Sequence, residues 1–253
     1  TPRPGGAIAL VGAGPGAADL LTLRALERLR AAHVVFYDRL VDPEVLGFCP
    51  QAEKVYVGKE VGNHAWPQER IDAVIVAAAL QGLRVVRLKS GDPGIFGRAT
   101  EELAAAQAHG IPVEIVPGVT AASAAGAALG RSLTERGLTD RVTFATATCR
   151  AGDEGPDWTE LARPGTTLAL YMGVAKAGRI ARDLLQAGLS PSTEVEVVGA
   201  ASTAAQKVLR SDLARMAKDI RTAGITNPAI ILIRCTKPKA ATQAVISLGS
   251  VPA

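Results

Sequence analysis

The sequence predicts an α/β fold built in two parts, each around its own sheet, with a ligand cleft between them. Three observations predict it. Short aliphatic runs alternate with longer amphipathic segments along most of the chain. Several of these runs end in a Gly- or Asp-bearing loop, at Gly12, Asp38, Gly58, Gly91 and Gly118. The apolar residues, 48% of 253, are almost all aliphatic, with aromatics at only 4%, as suits helices packed on sheets.

Taken in order, Ile8-Ala-Leu-Val-Gly12 reads as a buried first strand closed by Gly12-Ala-Gly14-Pro-Gly16-Ala17. A helix is expected over 20–31, capped by Asp19, with Leu21, Leu23, Leu26 and Leu29 as its apolar face. Strands follow at 34–37 and 54–57, separated by a loop through Pro43, Gly47 and Pro50. The polar stretch 60–66 reads as a surface loop. Pro67 opens a helix to about 81, at the first helical position where proline is tolerated.

The strand 84–89 then runs into Ser90-Gly91-Asp92-Pro93-Gly94, and a helix over 98–109 stops at Gly110. A fifth strand, 113–116, ends in Pro117-Gly-Val-Thr-Ala-Ala-Ser123. This alternation predicts a parallel or mostly parallel sheet. A small-residue helix over 120–129 leads to a second set, with strands at 142–146, 166–171, 194–199, 207–210 and 229–234. Helices are expected between them at 158–162, 176–187 and 212–223. The domain boundary is expected near Pro117–Gly118, giving an N-terminal α/β domain over 1–117 and a C-terminal one over 118–253.

Composition removes several function classes. The net charge is +4, but basic residues are scattered, so a nucleic-acid stripe is not expected. An anionic small molecule remains compatible with that charge. No apolar run is long enough to span a bilayer, and the opening Thr1-Pro-Arg-Pro-Gly-Gly6 is not patterned as a signal peptide. Cys49, Cys149 and Cys235 are far apart and form no metal-spaced cluster. The expectation is therefore a cytoplasmic protein without a metal. His33, His64 and His109 have no partners at ligand spacing.

The loops carry the chemistry. A strand that stops at Gly91-Asp92-Pro93 places backbone groups at the carboxyl end of a sheet, where ligands bind in open α/β folds. Gly12-x-Gly14-x-x-Ala17, with Asp38 about 20 residues on, also satisfies the dinucleotide fingerprint. An NAD(P)-dependent oxidoreductase is thus one reading. Against it, Pro15 and Gly16 occupy the place where that helix should begin, and the Gly-Asp-Pro loop is left unexplained.

Six stretches in fixed order narrow the choice: Val11-Gly-Ala-Gly-Pro-Gly16 with Leu20-Leu-Thr-Leu23; Tyr37-Asp-Arg-Leu-Val41; Val57-Gly-Lys59 with Gly62-x-His64; Gly91-Asp-Pro93 with Ile95-Phe-Gly-Arg98; Pro117-Gly-Val-Thr-Ala-Ala-Ser123; and Leu170-Tyr-Met-Gly173. This ordered set resembles the tetrapyrrole methylase family over roughly residues 7–236, and within it the branch that C-methylates uroporphyrinogen III. The resemblance implies two α/β domains with S-adenosylmethionine (SAM) in the cleft, no metal, and a homodimer. It implies methyl transfer to two pyrrole carbons, giving precorrin-2 via precorrin-1. Later corrinoid precursors are the alternative acceptors, and a ligand-binding regulator without turnover is a further alternative.

Residue roles carry over from the matched stretches. Asp38 is expected as the general base and Lys59 as a second proton-handling group. The cofactor contacts implied are Pro15, Ser90, Gly91, Asp92, Ile95, Thr120, Ala121, Met172 and Ala201. Arg39, Arg98, Glu101 and Arg136 are expected toward a carboxylate-rich substrate, the arginines as bidentate partners. The sequence departs from the family pattern at several places. Ser90 and Ala201 stand where glycine is common, Glu135 stands where histidine is usual, and Ala145-Thr-Ala-Thr148 lacks the usual Gly-His ending. These residues contain no dehydrogenase/chelatase segment, so the expectation is not the fused sirohaem-making type. The product's destination, sirohaem, cobalamin or haem d1, is not written in the residues.

Overall fold

The computed structural model describes residues 5–58, 66–148 and 156–238. Its first half runs β1 (Ala7–Gly12), α1 (Leu23–Ala31), β2 (Val34–Tyr37), α2 (Pro43–Leu46), β3 (Glu53–Tyr56), α3 (Gln68–Leu80), β4 (Arg84–Lys89), α4 (Ala99–Ala108) and β5 (Val113–Val116). All five strands are parallel, in the order β3-β2-β4-β1-β5. Both faces of this sheet are covered, as a parallel sheet requires. Ala9 and Val11 pack with Ala25 and Leu29 of α1, while Ile8 and Leu10 pack with Ile71 and Ile75 of α3 and Ala106 of α4.

The chain leaves β1 toward β2 on one side and leaves β4 toward β5 on the other. That reversal opens a crevice at the carboxyl ends of β1 and β4.

The second half contains α5 (Ala121–Ala128), β6 (Arg141–Thr146), α6 (Trp158–Leu161), β7 (Thr166–Tyr171), α7 (Ala177–Gln186), β8 (Glu194–Gly199), β9 (Lys207–Asp212), α8 (Met216–Thr222) and β10 (Ala229–Cys235). Its sheet is mixed, in the order β6-β7-β10-β8-β9, with only β6 and β7 parallel. Helices α7 and α8 cover one face through Ile180, Leu184, Met216 and Ile220. The small residues of α5 (Ala122, Ala124 and Ala125) pack closely on Ala169, Val198 and Leu232 of the other.

Three expectations change. The helix expected over 20–31 begins at Leu23: residues Ala18–Leu20 form a separate 3-10 turn, and Thr22, not Asp19, accepts the Ala25 N–H as the cap. Leu23 is therefore at the solvent side, 81% exposed, and not on the apolar face. Pro67 stands at the cap of α3, with Gln68 the first helical residue. The supposed loop after Asp38 contains α2, capped by the Asp42 carboxylate on the Glu44 N–H at 2.8 Å.

Candidate active site

The loops after β1, β4 and β5 meet over glycine. A Cβ on Gly12 would stand 2.7 Å from both the Gly118 nitrogen and the Gly91 oxygen, so only glycine lets the three strand ends approach. Gly14 and Gly91 exchange backbone hydrogen bonds, Gly91 N–H to Gly14 O at 2.6 Å and Gly14 N–H to Gly91 O at 3.2 Å. Ala17 N–H donates to Ser202 Oγ at 3.1 Å, which ties the first loop to the second half. Gly14 and Ala17 thus have their N–H groups engaged within the protein and Pro15 has none, which leaves the first loop poorly equipped for the pyrophosphate that a dinucleotide reading of Gly12-x-Gly14-x-x-Ala17 requires.

A cavity of about 550 Å³ lies above these loops, between the halves. That is the size of a small-molecule site, roughly 300–1,000 Å³. Pro15, Ser90, Gly91, Asp92, Ile95, Thr120, Ala121, Met172 and Ala201 all line it, as does Arg39. Asp38 is not itself part of the lining, although the next residue, Arg39, is. Arg98, Glu101 and Arg136 are not part of the lining. Arg98 and Glu101 pair with each other at 3.0 Å at the start of α4, and Arg136 is exposed on the loop closed by the Glu135–Thr139 bridge. Lys59, like His64 and Cys149, lies outside the described residues. A smaller cavity of about 340 Å³ lies at the opposite, amino ends of β1, β4 and β5 and has none of these loops.

Asp92 lines the cavity but has both carboxylate oxygens engaged. Oδ1 accepts the Gly94 N–H at 2.7 Å, and Oδ2 accepts the Gly118 N–H at 3.0 Å. Its side chain builds the loop, and what faces a ligand there is largely backbone. Thr120 is fixed by Tyr171, with hydroxyls 2.6 Å apart, and the Ala122 N–H also donates to the Tyr171 oxygen at 3.3 Å. Burial pushes the Tyr171 phenol up, with these hydrogen bonds opposing the shift.

Backbone strain gathers here too. Among the described residues the non-glycine positive-φ positions are Phe96 (52°), Arg98 (57°), Met172 (55°), Ala200 (46°) and Ser202 (63°). Phe96, Met172 and Ala200 line the cavity. Such strain clusters at ligand clamps. Two of these residues, Phe96 and Met172, are each 42% exposed at the lining, as is Leu40.

Beneath Asp38 lies a buried charged group that reading the sequence missed. The Arg87 guanidinium donates to Asp38 Oδ2 at 3.4 Å and to Glu102 Oε1 at 3.1 Å, and the Lys89 ammonium donates to Glu102 Oε2 at 2.7 Å. The Glu102 side chain is fully buried, while Asp38 keeps 30% of its side chain exposed. Burial pushes the Lys89 ammonium down, Arg87 adds to that, and Glu102 opposes it. Tyr171, Phe96, Ala200 and Thr203 were also missed. Tyr171 and Phe96 lay inside quoted stretches, whereas nothing local marks Ala200 or Thr203.

Comparison with known proteins settles the family. The model of the Tetrapyrrole (Corrin/Porphyrin) Methylases matches residues 7–217.

The chain belongs to the tetrapyrrole methylase family.

Among relatives of this methylase, a siroheme synthase of Tolumonas auensis is 45% identical over 233 residues, covering 90% of this chain and 49% of that protein. The chain thus spans about half the length of the curated relatives it matches. Uroporphyrin-III C-methyl transferase from Thermus thermophilus, solved with S-adenyl homocysteine, is 38% identical with a TM-score of 0.77, covering 90% of this chain and 92% of that one. A cobalt precorrin-4 methyltransferase is 32% identical with a TM-score of 0.82, covering 92% and 97%. Among the described residues of this methylase, no three His, Cys, Asp or Glu side chains group as metal ligands, and no helix is long and apolar enough to cross a membrane.

Proposed function

We propose that this methylase transfers the methyl group of SAM to uroporphyrinogen III at two pyrrole carbons, giving precorrin-1 and then precorrin-2. The observation that carries the reading is one cavity lined by Pro15, Gly91, Thr120, Met172 and Ala201, drawn from both halves, together with Arg39, the chain neighbour of Asp38. A solved relative at 38% identity holds the demethylated cofactor product, S-adenyl homocysteine.

The chemistry asks little of the protein beyond placement. The sulphonium methyl is already activated, so a nucleophilic carbon held in line displaces a neutral thioether. Holding that line is an orientation effect worth several orders of magnitude. The pyrrole carbon supplies the electron pair for the new C–C bond, and the macrocycle then gives up a proton. Asp38, next in the chain to the lining residue Arg39, receives it, with Lys59 as the second proton-handling group. Leu40, Phe96 and Met172 offer an apolar rim for a flat macrocycle, and Arg39 a cation for its carboxylates. Arg98 and Arg136, outside the cavity's lining, are proposed to meet the outer carboxylates of a substrate that overhangs it, with Glu101 orienting Arg98 through their ion pair. The working assembly is proposed as a cytoplasmic homodimer of two-domain chains divided at 117–118.

A second reading has one observation in its favour. The higher TM-score, 0.82, belongs to an enzyme named for a later cobalt corrinoid, although its identity is lower at 32%. Anaerobic incubation with methyl-labelled SAM and each acceptor separates the two. Label entering uroporphyrinogen III, to two methyls per macrocycle, supports the proposal. Label entering only a later corrinoid precursor assigns the chain to the other branch.

A further inference from the structure

The buried charged group has a consequence for proton handling. Strand periodicity places it: Val85, Arg87 and Lys89 point to one face of β4, and that face packs against α3 and α4. Phe36, two residues before Asp38, belongs to the same face of the sheet and is paired in register with Arg87. Two cations and one buried anion on this face are therefore completed by the half-open carboxylate of Asp38. The group also touches the cofactor side. Lys89 immediately precedes Ser90, and the loop arches over it, so that a Cβ on Gly97 would stand 3.3 Å from Lys89 Cε.

We infer that Glu102 is the positioning residue of this site: by holding Arg87 and Lys89 together it fixes the Asp38 carboxylate and sets the pH range over which that carboxylate takes up a proton. The inference rests on the reading of Asp38 as the base. Glu102 itself touches neither cofactor nor substrate and acts through Arg87. Its oxygens are divided between the two cations, and Gln68 of α3 adds a donor at 3.4 Å. Among the described residues, further charged groups face the cluster. Asp72 of α3 is held by Gln68 at 2.8 Å, and burial pushes its carboxyl up, with Glu102 and Glu101 adding and Arg98 opposing. On the sheet side Arg87 faces Asp38, and the Asp38 charge also reaches Lys89. Arg39, next in the chain, points its lining contact at the cavity.

The field argument gives opposite signs for two substitutions. Glu102→Gln removes the anion between two cations, so the field at Asp38 becomes more positive and protonation there requires a lower pH. Lys89→Gln removes a cation, so protonation occurs at a higher pH. The test is the pH profile of methyl transfer in the parent, E102Q, K89Q and D38A, with S-adenosylhomocysteine affinity measured alongside. The expected result is an acid limb displaced downward in E102Q and upward in K89Q, each by about half a pH unit or more, with kcat lowered more than KM is raised. If E102Q does not fold, K89Q/E102Q, which removes a cation with the anion, decides: a limb below that of K89Q supports the role of Glu102, and a limb equal to it overturns that role. Limbs that stay put, or move in the same direction, overturn the role of Glu102. Full turnover in D38A instead overturns the reading of Asp38, and the two failures are thereby distinct.

Discussion

The Gly118 N–H donates to the Asp92 carboxylate at 3.0 Å, joining the loop after β4 to the start of the crossing between the halves. With the second oxygen on the Gly94 N–H, one side chain holds the floor of the cavity in shape.

Removing that carboxylate should therefore loosen the floor. In Asp92→Ala, two backbone N–H groups lose a charged acceptor, each worth about 1.5–3 kcal/mol. The expected outcome is S-adenosylhomocysteine binding weakened at least tenfold and a lower unfolding midpoint, measured by titration calorimetry and denaturant melts. Retained affinity would show that the loop holds its shape without Asp92.

Gly118 itself leaves no room for a side chain, because an added Cβ would run into the Gly91 carbonyl and the Gly12 backbone. Gly118→Ala is expected to destabilise the chain by about 1–3 kcal/mol and to abolish detectable cofactor-product binding. Urea unfolding and the same titration check both.

Ala200 is held at φ 46°, a region that carries about 1–3 kcal/mol of strain for a residue with a Cβ. Ala200→Gly relieves it, partly offset by about 0.5–1 kcal/mol of extra unfolded-chain freedom. A net gain of about 1 kcal/mol in urea unfolding is expected. A loss would mean that the Ala200 methyl is needed against the cavity wall.

Cys235, a buried residue, ends β10, and burial pushes its thiol up to about 11 from 9.0. The folded state keeps the thiol neutral while the unfolded chain ionises. Its contribution is thus complete below pH 9 and is lost as pH rises through about 11. That loss amounts to about 3 kcal/mol at most. Cys235→Ala should remove this part of the alkaline decline, seen as a smaller stability difference between pH 8 and 11 than the parent shows.

Much of the architecture was legible because buried parallel strands read as continuous aliphatic runs, as in Ile8-Ala-Leu-Val11. The cavity was legible for a related reason: its floor is made of glycines that no other residue can replace. The start of α1 was not, because Asp19 and Thr22 are both good caps and only the 3-10 turn decides between them. The charged group was missed because Arg87 and Lys89 lie in a strand and Glu102 in the next helix. A period-two reading of that strand would have put both cations on one face, but only the packing of α4 supplies the anion. The second sheet's mixed direction was equally hidden, since β10 enters between β7 and β8, which precede it by several elements, and only the β8–β9 connection over 200–206 is a direct reversal.

The most direct test of the account is Asp38→Ala, assayed with S-adenosylhomocysteine binding and anaerobic methyl transfer to uroporphyrinogen III on the same preparation. Asp38 precedes the lining residue Arg39, and among the described residues its carboxylate pairs with the Arg87 guanidinium at 3.4 Å. The account predicts affinity within about twofold of the parent, with turnover lowered by about 10²-fold or more, the size of a lost general base. Unchanged turnover with intact binding would contradict it.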